Sequence, residues 1–464
     1  MDPIESTEGR PPRRRNLALA AAIGLCAPLL AAAPALAGSS VLVKVAGGAD
    51  ADTVAARHGL TVVRELPQIG WVELGLPAHD GERPVAGAAA RRAHASAVRA
   101  LDGDRAVRRV DEVAAGERID WHFLPRDTIF NQAITLPDGS AQAAWHFVQP
   151  NFPVAWDITT GSPGVRVAVI DSEFDTDNPD LKDKLIGRFN ASSGTAQYRT
   201  GDVKAKAGDQ FHGSHTSGLV GARTDNGIGT AGACFDCGLI AIKIGGSASG
   251  TFVSAKFLGD IAEGLIYAGD NGASVINMSL GGTRPHAPLQ DAINYARAKG
   301  AVVVASAGNS QQSEPGVANY PAAYNGVIAV AATDSAGQIA EFSTNGAFVD
   351  IAAPGRNVLS TTDSSDPEAV AFNSDPAPQS ALSVKSGTSM AAPIVAGLAA
   401  LMRSVRPDLS ADELEALLRG AAKDAGIPGQ DPIYGAGIID AAAAVRAAQG
   451  YVRPAPPAPP APPA

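Results

Sequence analysis

Cysteine is scarce in this 464-residue chain, with only Cys26, Cys234 and Cys237. So few thiols, two of them in one Cys-Phe-Asp-Cys string, exclude a four-thiolate zinc site. Positive charge is also in deficit: 37 Lys and Arg stand against 47 Asp and Glu, a net charge of −10. Residues 1–113 are nearly balanced, at 14 basic to 13 acidic, whereas residues 114–464 hold 23 against 34. An acidic body without a basic, aromatic surface motif argues against nucleic acid as a partner and is compatible with bound cations. After the N-terminal region no run is expected to be long and apolar enough to cross a bilayer, so the mature form should have no membrane span.

What is present reads as globular, with 45% hydrophobic and 18% charged residues. The length suits a large domain plus something smaller. Residues 1–37 have the form of an export signal: Arg13-Arg14-Arg15, an apolar stretch from Leu17 to Ala33, then Ala35-Leu36-Ala37 as a small-x-small cleavage pattern. The expected location is therefore secreted, extracellular or in the cell envelope. Export would remove Cys26, leaving Cys234 and Cys237 either as a local disulfide, favoured in an oxidising compartment, or as two packed thiols.

Residues 38–113 read as a small separate domain. Strands are expected at Val41–Val45, Leu60–Leu66, Ile69–Leu76 and Val107–Val113, with helices at Asp50–His58 and Ala86–Leu101. The order β-α-β-β-α-β is the split βαβ, ferredoxin-like arrangement. Residues 114–144 lack periodicity and read as a linker. From residue 145 to 449 short apolar runs alternate with helical patterns, among them Val165–Ile170, Gly238–Ile244, Ala273–Met278 and Ala301–Ala305. This predicts an α/β fold, a doubly wound, mostly parallel sheet with helices on both faces. Such sheets bind ligands at the carboxyl ends of their strands, which points to Asp171, Ser279 and Asn309. Residues 450–464 are a Pro/Ala-rich, extended tail.

Four segments carry chemistry. Asp171 ends a buried strand in Val-Ala-Val-Ile-Asp-Ser, and His212-Gly-Ser-His215 opens a helix. Asn309 ends Ala-Ser-Ala-Gly-Asn, and Ser389 lies in Ser386-Gly-Thr-Ser-Met-Ala-Ala-Pro393 before an apolar helix. A serine hydroxyl needs an imidazole to take its proton, the imidazole needs a carboxylate to hold its tautomer, and an oxyanion needs aimed donors. Each segment alone is an ordinary strand end, helix start or N-cap. Together, in the order Asp, His, Asn, Ser, they spell acyl transfer. The esterase and lipase signature Gly-x-Ser-x-Gly and the order Ser…Asp…His are both missing.

In these motifs residues 145–449 resemble the subtilisin-like serine proteases, the subtilases. The resemblance implies a serine endopeptidase that cleaves peptides and proteins, with Ser389 as nucleophile, His212 as base, Asp171 as its orienting acid and Asn309 as the oxyanion amide. It implies that Ser279-Leu280-Gly281 pairs with an extended substrate, as an added strand, and that Ala307 and Gly308 line the primary specificity pocket. Catalysis would need no cofactor. Thr224-Asp-Asn-Gly-Ile-Gly229 resembles a calcium-binding loop, with Asn226 and the matching Asp180 as ligands of a structural ion; an ordinary surface turn is the alternative. Residues 38–113 resemble a propeptide that assists folding and blocks the cleft, so the chain would be an autoprocessed zymogen and its own propeptide a partner. His215 matches a structural histidine of the family. Three positions depart from the pattern: Glu173 and Phe211 replace the usual glycines after Asp171 and before His212, and Asn178 replaces a histidine. The competing reading is a catalytically silent binding protein on the same fold.

Overall fold

In the computed structural model the chain forms two compact units, residues 1–120 and 121–464. The structure describes residues 40–46, 49–66, 71–75, 100–101, 104, 107–111, 124–131, 144–193, 202–204, 211–245, 255–366, 368–369 and 380–453. The export segment with Cys26, residues 86–99 of the expected helix, much of the expected linker and the tail from 454 lie outside the described residues.

In the first unit, β1 (Ser40–Val45) is followed by α1 (Ala51–Arg57), β2 (Thr61–Leu66), β3 (Trp71–Gly75) and β4 (Val107–Asp111). The strands form an antiparallel sheet in the order β2-β3-β1-β4, with Val43 opposite both Val72 and Val110. Helix α1 begins where the Asp50 carboxylate accepts the Thr53 N–H at 2.9 Å. It buries Val54 against Val43, Leu60, Val72, Leu74 and Leu101.

The second unit opens with three short helices, α2 (Thr128–Asn131), α3 (Trp145–Val148) and α4 (Phe152–Trp156). Then come β5 (Arg166–Asp171), β6 (Leu185–Asn190), α5 (His212–Gly221), β7 (Gly238–Lys243), α6 (Ala255–Asp270), β8 (Val275–Met278), α7 (Ala287–Ala298) and β9 (Val302–Ser306). After β10 (Val327–Thr333), β11 (Ile351–Pro354), β12 (Val358–Thr361) and β13 (Leu382–Lys385), the chain ends in α8 (Thr388–Val405), α9 (Ala411–Gly420) and α10 (Ala441–Gly450).

Seven strands make one parallel sheet in the order β11-β10-β9-β8-β5-β7-β6. Its inner strands read as continuous apolar runs because both faces are covered. Along β5, Val167 and Val169 enter a core shared with α5 and α8, while Ala168 and Ile170 enter one shared with α6 and α7. The chain leaves β5 for β6 and β7 on one side, then returns to build β8 through β11 on the other. The order thus reverses between β5 and β8, and the crevice beyond their carboxyl ends is where such a sheet binds ligands.

Residues 124–131, part of the expected linker, bond within the second unit: Asp127 is buried and its carboxylate accepts the N–H groups of Asp225 and Asn226 at 2.8 and 3.0 Å. One expectation is corrected. Helix α8 has the length and composition of a membrane span, with mean hydropathy 1.4, but it is the central core helix and 78% buried. Its apolar run reads as short in sequence because Pro393 interrupts it, yet the helix continues through the proline.

Candidate active site

Asp171 is the last residue of β5 and only 4% exposed. A carboxylate buried to that degree needs donors, and three surround it. His212 Nδ1 donates to Oδ1 at 2.8 Å, the Ser172 N–H to Oδ1 at 2.7 Å, and the Thr216 hydroxyl to Oδ2 at 3.0 Å. Because a carboxylate only accepts, the Asp171 bond puts the neutral imidazole proton on Nδ1 and leaves Nε2 as the acceptor. Thr216 is one helical turn beyond His212, so the same face of α5 carries both.

Helix α5 reaches this position through two unusual residues. Gly213 has no room for a Cβ, which would lie 2.3 Å from the Glu173 carbonyl oxygen and 3.2 Å from Asp171 Cβ. Phe211 turns the chain into the helix with φ of 50°, a left-handed conformation that costs a bulky residue about 1–2 kcal/mol; its ring is buried, which offsets that strain. Glu173 is likewise buried, and its carboxylate accepts the Ser172 hydroxyl.

Burial works against a charge on His212, but the Asp171 charge and hydrogen bond outweigh it and hold the imidazole above its ordinary pKa; Lys385 lowers it and Glu173 raises it. His215 behaves oppositely. Buried, and with Lys385 nearby, it is held well below the ordinary value. Its Nε2–H donates to the carbonyls of Val358 and Ser383, each at 3.1 Å, so it is a neutral clasp between α5 and the β12–β13 pair.

Ser389 sits in the first turn of α8, where backbone N–H groups have no intrahelical partner. Its hydroxyl donates to the Ser279 carbonyl at 3.3 Å. Asn309, exposed beyond β9, spends its Oδ1 on the Thr388 N–H and hydroxyl, both at 2.9 Å, which leaves its NH₂ group beside the start of α8. The Thr388 hydroxyl in turn accepts the Gly308 N–H at 3.1 Å. Thr388 lies within the Ser389 motif and Thr216 just beyond His215, but the role of each is visible only from these bonds.

Ser279, Leu280 and Gly281 follow β8, and Ala307 and Gly308 follow β9. Asn319 joins the two segments: its Nδ2 donates to the Ser306 carbonyl at 3.1 Å, and a Cβ on either Gly281 or Gly308 would crowd it. Gly308 also has φ of 107°, which disfavours any side chain there. A cavity of about 500 Å³ lined by Arg166, Ile186, Gly187, Arg188 and Tyr267 contains none of these residues and lies at the opposite end of β5.

Asp180 is buried; its carboxyl accepts Asn226 Nδ2 at 2.8 Å and the Thr230 N–H at 3.2 Å. Burial pushes its pKa up to about 6. Asp127 is pushed up to about 6 as well, by burial first and also by the Asp180 charge. The two buried carboxylates come from different segments and both bond the loop at 225–230, where each accepts N–H groups. Among the described residues no three His, Cys, Asp or Glu side chains converge as a metal cluster, so carbonyl and amide oxygens would have to complete a calcium site. The sulfurs of Cys234 and Cys237 lie at bonding distance, 1.95 Å.

The subtilase family model matches residues 162–437. Thermitase of Thermoactinomyces vulgaris is 37% identical over 295 residues, covering 63% of this chain and 92% of that protein. Subtilisin Savinase of Lederbergia lenta is 36% identical over 302 residues, covering 65% and 98%. An extracellular protease of Xanthomonas campestris is 34% identical over 389 residues, covering 75% and 63%. Among solved structures, a protease from Pseudoalteromonas arctica superposes with a TM-score of 0.54 at 33% identity, covering 70% of this chain and 99% of that one.

The two histidines give a direct electrostatic test. In an NMR titration His212 should change charge above pH 6.5, and His215 should stay neutral well below it. Glu173→Gln removes a negative charge and should lower the His212 midpoint. A His212 midpoint below 6.5, or one indifferent to Glu173→Gln, contradicts this description.

Proposed function

The chain belongs to the subtilase family and is a serine endopeptidase, and on that premise we propose that Ser389, His212 and Asp171 perform its chemistry in an exported, autoprocessed enzyme. The observation that carries the assignment is the 2.8 Å bond from His212 to buried Asp171, at the sheet crevice that also receives the first turn of α8.

In the proposed reaction the Ser389 hydroxyl leaves the Ser279 carbonyl and gives its proton to His212 Nε2 as its oxygen attacks the scissile carbonyl. The imidazolium is stabilised by Asp171, which stays ionised and holds the ring in place. The oxyanion is met by Asn309 Nδ2 and the Ser389 N–H, donors already fixed and therefore not reorganised during reaction. His212 then protonates the leaving amine, the acyl group remains on Ser389, and water repeats the sequence in reverse roles. Residues 279–281 would pair with the substrate backbone, and Ala307 and Gly308 would line the pocket for the side chain before the cut bond.

Around this core we assign residues 1–37 to an export signal, 38–113 to a propeptide that acts as the chain's own inhibitor, and 450–464 to a tail. The similarity to the extracellular protease of Xanthomonas campestris supports export. In that compartment Cys234 and Cys237 would form a disulfide. The family's catalysis needs no cofactor. A calcium ion, when bound, would neutralise Asp127 and Asp180 and pin the loop at Asn226, supplying stability and no chemistry.

Asn309→Ala should lower kcat by about 10²–10³ with little change in KM, the loss seen when subtilisin loses its oxyanion-hole asparagine. Unchanged turnover removes the assigned role of Asn309, whereas absence of turnover in the parent protein favours a silent binding protein. For the ion, a hundredfold excess of calcium over its Kd should stabilise the protein by about 2.7 kcal/mol. Chelation should therefore lower Tm, and Asp180→Asn should abolish the calcium dependence; a Tm indifferent to calcium in the parent protein contradicts the site.

A further inference from the structure

Pro393 lies four residues after Ser389, inside α8. In an α-helix the N–H of residue i+4 bonds the carbonyl of residue i. Proline has no N–H, and its ring crowds the carbonyl four residues back. The Ser389 carbonyl is thus deprived of its helical donor by the sequence itself.

The structure supplies a replacement from another element. The Ser279 hydroxyl donates to the Ser389 carbonyl at 2.8 Å. It also accepts Asn277 Nδ2 at 3.0 Å. A hydroxyl has one proton, so acceptance from Asn277 leaves that proton for Ser389. Asn277 is fully buried and Ser279 is 5% exposed, so the relay is shielded from bulk water. The bond is also reciprocated, since the Ser389 hydroxyl rests on the Ser279 carbonyl. Each serine side chain is bonded to the other's backbone across the crevice between β8 and α8.

We propose that the Ser279 side chain is a positioning residue for the nucleophile, substituting for the helix hydrogen bond that Pro393 removes and fixing the Ser389 peptide by way of Asn277. This role is separate from the backbone pairing with substrate assigned to residues 279–281. It acts on Ser389 alone, because the carbonyl it holds belongs to the residue that carries both the attacking oxygen and one oxyanion N–H. The inference rests on Ser389 being the nucleophile.

The test compares Ser279→Thr, which keeps a hydroxyl, with Ser279→Val, which has the same shape without one. Each is made in the parent enzyme and with Pro393→Ala, and rates are normalised to sites titrated by a fluorophosphonate. In the parent background Val should have a kcat about tenfold below Thr with similar KM, the cost of one buried acceptor left unpaired. In the Pro393→Ala background a backbone N–H is restored four residues after Ser389 and can reach its carbonyl, so the Thr/Val ratio should collapse toward one. If Ser279→Val yields no folded enzyme, Ser279→Ala takes its place. A ratio that persists in the Pro393→Ala background, or that resides in KM, overturns the proposal. Absence of label on Ser389 would instead overturn the assignment of the nucleophile.

Discussion

Asp171 is a carboxylate at the closed end of a buried strand, and the site is organised around satisfying it. Leaving such a group without donors would cost several kcal/mol, more than one surface interaction could return. The strand offers one donor, the Ser172 N–H, and the other two come from a single face of α5. That helix reaches the strand end because Gly213 lacks a side chain and Phe211 accepts a left-handed turn. The carboxylate therefore determines where α5 sits, and α5 determines which imidazole nitrogen faces the crevice. His215 and the side chains of Ser360 and Thr361, which donate to the His215 and Ser214 carbonyls at 2.8 and 2.7 Å, hold the helix from its other side.

The same logic operates at α8. Its first turn leaves N–H groups free and Pro393 leaves a carbonyl free, and neither is wasted. Thr388 bonds Asn309 Oδ1, the Ser389 N–H is left for the proposed oxyanion, and Ser279 covers the carbonyl. The proposed oxyanion donors and the proposed nucleophile are thereby set by backbone requirements of two strands and one helix, which suits a site that must not reorganise while charge develops.

Much of this was legible in the sequence, for identifiable reasons. Strands buried on both faces are written as apolar runs, so β5, β7, β8 and β9 could be bounded closely, and the alternation with helices implied the sheet. Residues just past strand ends then pointed to Asp171, Ser279 and Asn309. The edge strand β6 mixes Arg188 and Asn190 with apolar residues, and β11 ends in Pro354, so neither presents a clear period. Asp127 lies in an aperiodic stretch far ahead of Asp180 in the chain, and only the fold reveals that both bond the loop at 225–230. Thr216, Thr388 and the Ser279 hydroxyl were hidden for another reason: their partners are backbone groups or side chains of other elements, and a hydroxyl at a helix start or strand end has many ordinary uses.

Ser389 is the proposed activated nucleophile of this site. Treatment of the processed protein with a fluorophosphonate, followed by peptide mapping, measures that directly. One adduct per molecule is expected, on Ser389, lost when His212 is replaced by Ala. No adduct, or an adduct on another serine, would contradict it.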